Sequence, residues 1–163
     1  MNRLTGVMFA MLAGLAARDM PEPTHAFPLR GTWTLVAADK ILPDGSRARD
    51  YGERPKGRLV VDDRGRYSLQ IFKSERLRFA GGKADGSADE FKSAVTGSST
   101  HYGTIAIDAT AGQLVFSIEG SSFPNWEGTV QRRRYALEGG QLRYRVPPRA
   151  DGSVPVSIWR RLD

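Results

Sequence analysis

The stretch Leu59–Ile71, LVVDDRGRYSLQI, decides the fold. Leu59 and Val61 stand before the turn tripeptide Asp63-Arg64-Gly65, and Tyr67, Leu69 and Ile71 follow it at every second position. A period of two puts alternate side chains on one face of a strand, and a Gly-containing turn between two such runs makes a β-hairpin. The same design recurs in both directions. Tyr102–Asp108 and Gln113–Glu119 flank Ala109–Gly112, and Thr129–Leu137 and Gln141–Val146 flank Glu138-Gly139-Gly140. Trp33 and Leu35 alternate around Thr34 near the start, and Val154–Leu162 supplies the last strand. The expected strands are 31–38, 57–62, 66–72, 101–108, 113–119, 128–137, 141–146 and 154–162. Sequential hairpins at this spacing predict an all-β fold: an eight-stranded up-and-down antiparallel barrel, with a sandwich as the other arrangement. A closed barrel has no free edge and has room for one small ligand. One short helix interrupts the pattern. Ser87-Ala88-Asp89-Glu90 is a capping box opening a helix over 89–95, with Phe91 and Val95 on one face. The basic, Gly-rich segment 73–86 before it reads as a mobile loop.

The chain has 163 residues, which fits one domain. A hydrophobic fraction of 40% with 26% charged residues excludes a largely disordered, collagen-like or coiled-coil chain. No apolar run is long enough to span a membrane. Cysteine is absent, which removes disulfides, thiolate metal sites and thiol nucleophiles. The net charge is +6, and eight arginines fall late, at Arg132, Arg133, Arg134, Arg143, Arg145, Arg149, Arg160 and Arg161. They read as a solvated strand face from which one or two side chains could meet an acidic ligand. No nucleic-acid partner is expected, because no recognition helix, zinc finger or aromatic RNA-binding strand accompanies the charge.

Residues 1–17 run from a short basic start through apolar and small residues to Gly14-Leu15-Ala16, followed by polar Arg18 and Asp19. That succession reads as a signal peptide for an exported, periplasmic or secreted protein. The alternative is an N-terminal helix packed on a cytoplasmic domain. No Cys ends the segment, so a lipoprotein anchor is excluded. Residues 18–29, with Pro21, Pro23 and Pro28, read as an extended linker, and 30–163 as the barrel domain.

Gly31-Thr32-Trp33 opens the first strand as Gly-x-Trp does in lipocalins and avidins. It is followed by Pro55-Lys56-Gly57-Arg58-Leu59, Asp63-x-Gly65-Arg66-Tyr67 and His101-Tyr102-Gly103-Thr104. Phe123-Pro124-Asn125-Trp126-x-Gly128-Thr129-x-Gln131-Arg132 and Leu142-x-x-x-x-Pro147-Pro148 complete the series. In this order the motifs resemble the bacterial lipocalin-like domain family over about residues 30 to 162. The resemblance implies a calycin-type β-barrel with an internal cavity, and no particular ligand. It also implies that Trp33 plugs the closed end of the barrel beneath an arginine of the last strand, Arg161 or Arg160.

Candidate ligand-binding residues are Tyr102, Phe123, Asn125, Trp126, Arg132, Arg134, Tyr144 and Trp159. The loop 121–126 joins two strands at one end of the barrel and offers apolar surface beside an amide. Strand alternation separates Arg132 and Arg134 from Gln131, Arg133 and Tyr135, so at least one arginine points inward. An inward arginine keeps its charge and requires a partner, either Glu119 across the hairpin or an anionic ligand. His25 reads as a solvated linker residue, and His101 as a strand-end residue at the barrel mouth. A lone histidine is a poor metal ligand set, so no metal and no cofactor are expected. The leading expectation is a binding protein for a small hydrophobic or amphipathic molecule. A cofactor-independent isomerase, cyclase or lyase is the alternative, with Glu119 as base and Arg132 or Tyr144 as electrophilic partner. An interaction module with a basic outer face is the third.

Overall fold

The computed structural model describes residues 26–162. The expected signal peptide and residues 18–25 of the expected linker lie outside the described residues. The remainder of that linker belongs to the barrel. Leu29 is fully buried, Phe27 packs against the core, and Arg30 N–H closes a turn onto Phe27 O at 2.8 Å.

The strands are β1 (Gly31–Ile41), β2 (Arg47–Arg49), β3 (Lys56–Val61), β4 (Arg66–Phe72), β5 (Ser98–Asp108), β6 (Gln113–Ser121), β7 (Val130–Glu138), β8 (Gln141–Arg145) and β9 (Val154–Arg161). One helix, α1 (Ala88–Thr96), precedes β5, and one 3-10 turn (Pro124–Trp126) precedes β7. β1 pairs with β3, each later strand pairs with the next, and β9 returns to β1. Eight strands thus close an up-and-down antiparallel barrel. Strand β2 stands apart, paired only with the end of β1. It has no apolar alternation to announce it. Arg47 and Arg49 reach the buried carboxylate of Asp39 at 2.6 and 3.2 Å, and this polar attachment accompanies the added strand.

Two bulges set which side chains face inward. In β1 the pairing skips Val36, which is 48% exposed, while Trp33 and Leu35 stay inside. In β6 the pairing passes from Gly120 to Ile118 and leaves Glu119 as the extra residue. Gly103 opposite has φ +154°, and a Cβ there would lie 2.0 Å from Ser117 O, so the bulge needs glycine at that position.

The interior is graded by side-chain size. Toward the closed end the inward positions carry Trp33, Leu59, Leu114, Phe116, Leu142 and Trp159, all fully buried. Trp33 Nε1–H donates to Leu29 O at 2.9 Å. Arg161 covers its ring at 4.2 Å and donates to Pro28 O (2.7 Å) and Arg30 O. Of the two arginines expected over Trp33, it is Arg161 that covers the ring, while Arg160 is exposed. Toward the other end the inward residues include Ala38, Ser99 and Ser157, and a space opens between them.

The capping box forms. Ser87 Oγ accepts from Glu90 N–H at 3.3 Å, and the Glu90 carboxylate accepts from Ser87 N–H at 2.6 Å. The segment expected to be mobile is tied to the helix: Glu90 also accepts from Ala80 N–H, Leu77 N–H donates to Ser93 Oγ, and Lys73 N–H donates to Gly97 O. Phe91 and Val95 remain exposed, with Phe91 meeting only the edge of Phe79 at 5.3 Å among aromatic rings.

Candidate functional site

The open end of the barrel holds a cavity of about 370 Å³. Leu69, Ile71, Val146 and Val156 are its main apolar lining. His101, Gln131, Arg133 and Tyr144 supply polar groups, and Trp126, Tyr51, Asp50 and Arg149 stand around the space. Asp50 and Arg149 form a two-pronged ion pair at 3.1 and 2.6 Å that joins the loop after β2 to the loop before β9.

Arg133 is the centre of this site. It is 4% exposed, and its guanidinium lies over Phe116 at 4.0 Å and over Tyr144 at 5.1 Å. Nη2 donates to Gln131 Oε1 at 2.8 Å and lies 3.4 Å from His101 Nε2. Arg133 Nε and Tyr144 Oη are buried, and neither completes a hydrogen bond of ordinary geometry. Among the described residues, Arg133 makes no ion pair. Burial lowers its pKa, while the Tyr144 and Tyr67 phenols act in the opposite direction.

His101 is equally buried and is held on both ring nitrogens. A guanidinium carries only donors, so the ring nitrogen facing Arg133 must present its lone pair. Nδ1 then carries the hydrogen and donates to Tyr67 Oη at 2.7 Å. Burial first, and the Arg133 charge second, push the imidazole pKa down to about 3. Burial likewise raises the Tyr67 phenol well above its ordinary value. At neutral pH the guanidinium of Arg133 therefore stands beside a neutral imidazole and a neutral Tyr67 phenol. Trp126 meets His101 edge-on at 6.1 Å, and Phe123 meets Trp126 at 5.4 Å.

Several expected site residues lie elsewhere. Arg132 and Arg134 are exposed on the outer face of β7, and Arg132 faces Asp108 at 3.6 Å. Tyr102 is 55% exposed and lies on the outside across Gly120, where an added Cβ would lie 2.4 Å from its ring. Glu119 is exposed on the β6 bulge, so it is not the partner of the inward arginine. Trp159 is fully buried in the core and does not line the cavity. Phe123 and Asn125 are exposed in the loop above. Only Tyr144 and Trp126 of the expected residues line the cavity.

The residues that converge instead are Arg133, His101, Gln131 and Tyr67. Their phase was available in the sequence. Arg133 shares its parity with Tyr135 and Leu137, which pack against the core, whereas Arg132 and Arg134 share theirs with Ala136. His101 shares its parity with Ile105 and Ile107, and Tyr67 with Leu69 and Ile71.

The sequence model of the lipocalin-like domain matches residues 30–162. No curated protein matches the chain. Among solved structures, a mutant of the fluorescent protein UnaG is similar at 14% identity and a TM-score of 0.37, over 82% of this chain and 96% of that one. That likeness is too distant to bear on what this barrel holds.

Proposed function

The chain belongs to the lipocalin-like domain family, and from that premise we propose that it holds a small amphipathic molecule in the open half of the barrel. The observation that carries this reading is the cavity of about 370 Å³, lined by apolar side chains together with a few polar ones. Binding sites for small molecules are concave, mostly apolar and supplied with a few fixed polar groups. Leu69, Ile71, Val146 and Val156 would take the apolar body, and Arg133 with Tyr144 would take the polar end. The rival reading as a cofactor-independent enzyme loses support, since Glu119, its assigned base, faces solvent.

Native mass spectrometry of protein purified without denaturant tests the proposal. A retained molecule of a few hundred daltons supports it, as does a saturable rise in the fluorescence of the uncharged dye N-phenyl-1-naphthylamine. Failure of both would remove the reading. Export is part of the same proposal, on the basic, apolar and small succession of residues 1–17. A mature protein whose first residue follows that segment would support it, and retention in the cytoplasm with Met1 intact would count against it.

A further inference from the structure

We infer that the head group of the ligand is a single negative charge on oxygen, as in a carboxylate, seated against Arg133. The inference rests on the ligand-binding reading above and adds the chemical class. Its basis is a charge that the protein leaves unanswered. A buried arginine cannot shed its proton, and the cost of removing it from water is recovered only through a well-placed anion and satisfied hydrogen bonds. Here the compensation is two aromatic rings and neutral acceptors, the Gln131 amide oxygen, the His101 lone pair and the Tyr144 phenol oxygen, with no anion among them. Cation–π contacts recover only part of such a penalty.

Both carboxylates that line the cavity are engaged elsewhere, and Glu119, whose charge acts on the Tyr67 phenol, is exposed on the β6 bulge. Asp39 accepts from Arg47 and Arg49, and Asp50 is bound by Arg149 and faces Lys40 at 3.9 Å. Their cations also neutralise the mouth, so an entering anion meets no unpaired negative charge there. Deeper in the cavity the free hydrogen-bonding capacity lies on the donor side. Arg133 Nε–H completes no hydrogen bond of ordinary geometry, the Tyr144 oxygen faces the guanidinium and leaves its O–H to donate, and the His101 lone pair is already turned toward the guanidinium. Such a surplus of donors selects an acceptor. Among the described residues lining the cavity, Arg133 is the cation without an ion pair, since Arg149 is bound to Asp50, and one such cation matches one negative charge. The apolar lining contributed by Leu69, Ile71, Val146 and Val156 fits a charge carried on an organic body.

The test uses two dyes that share one ring system, 1-anilinonaphthalene-8-sulfonate and the uncharged N-phenyl-1-naphthylamine, titrated into the full chain at 0.15 M salt. We expect the sulfonate to bind at least about tenfold more tightly, the size of a charged hydrogen bond. Arg133→Met removes that preference and leaves the uncharged dye bound, which also shows that the variant is folded. Equal affinities in the unmodified protein overturn the inference while the barrel still binds. A preference that survives Arg133→Met places the selection on the outer basic surface and overturns it too. Absence of binding by either dye overturns the ligand reading and the inference together. A second arm compares octanoate with octanol and inorganic phosphate by thermal melting. Stabilisation by octanoate alone is expected, and equal stabilisation by phosphate would make this a site for an inorganic ion and overturn the inference.

Discussion

Two arginines sit on aromatic rings at opposite ends of the barrel, and they are finished differently. Arg161 lies 4.2 Å over Trp33 and places its remaining donors on the carbonyls of Pro28 and Arg30. It is half-buried, so solvent shares its charge. Arg133 lies 4.0 Å over Phe116 and is almost wholly buried, with Nε unused and no acid beside it. The same side chain over the same kind of ring thus closes one end and leaves the other incomplete. At the closed end the protein supplies two carbonyl acceptors and leaves the rest of the guanidinium to solvent. At the open end it withholds an anion, where another molecule would complete the set.

The comparison can be broken from either side. The largest effect belongs to the plug. Trp33→Ala empties a fully buried position and is expected to lower stability by about 3–5 kcal/mol in urea unfolding, as large-to-small core changes do. A loss under about 1 kcal/mol would show that Trp33 does not hold the closed end.

Next comes the imidazole behind Arg133. The His101 pKa is about 3 in the folded chain and 6.5 as the ordinary value. Between those values the unfolded chain binds more protons than the folded one, so stability is present in full above about pH 6.5 and falls as pH drops toward 3. The total is on the order of a few kcal/mol. In His101→Gln that contribution to the acid slope disappears, measured as unfolding free energy at pH 7, 5.5 and 4.5. An unchanged slope would remove His101 from the account of acid sensitivity.

The sharpest contrast is one of sign. Arg161→Met strips donors from two carbonyls and is expected to cost about 1–3 kcal/mol. Arg133→Met removes a buried charge that has no protein anion, and in the ligand-free protein it is expected to raise stability by about 1–2 kcal/mol. If both substitutions destabilise equally, Arg133 is a structural residue and the contrast fails. The smallest effect is at the β6 bulge. Glu119→Gln is expected to alter stability by less than about 0.5 kcal/mol and to leave dye affinity unchanged. A large loss of either would return Glu119 to the site.

The strands of the barrel follow from local pattern. Alternation around Asp63-Arg64-Gly65 and its counterparts needs only neighbours along the chain, and so does the capping box at Ser87. The boundaries shift where hydrogen bonding extends past the apolar pattern: β1 runs on to Ile41 and β5 begins at Ser98. Strand β2 carries no alternation, and its arginines reach an aspartate eight to ten residues earlier in the chain. The Trp33–Arg161 plug came from the family resemblance rather than from spacing.

The site itself was half legible. Alternation in 131–135 required an inward arginine, and the parity of Tyr135 and Leu137 would have selected Arg133. Nothing local places His101 between Tyr67 and Arg133, which are 34 and 32 residues away from it. Nor does local pattern place Glu119 on a bulge that turns it outward. By itself the sequence determined an antiparallel barrel, its turns and its helix cap, because these depend on short-range periodicity. Only the tertiary structure decided which face of each strand met at the open end. Closing eight strands in register brings β4, β5 and β7 side chains to one point, and there a buried charge is left without an anion among the described residues.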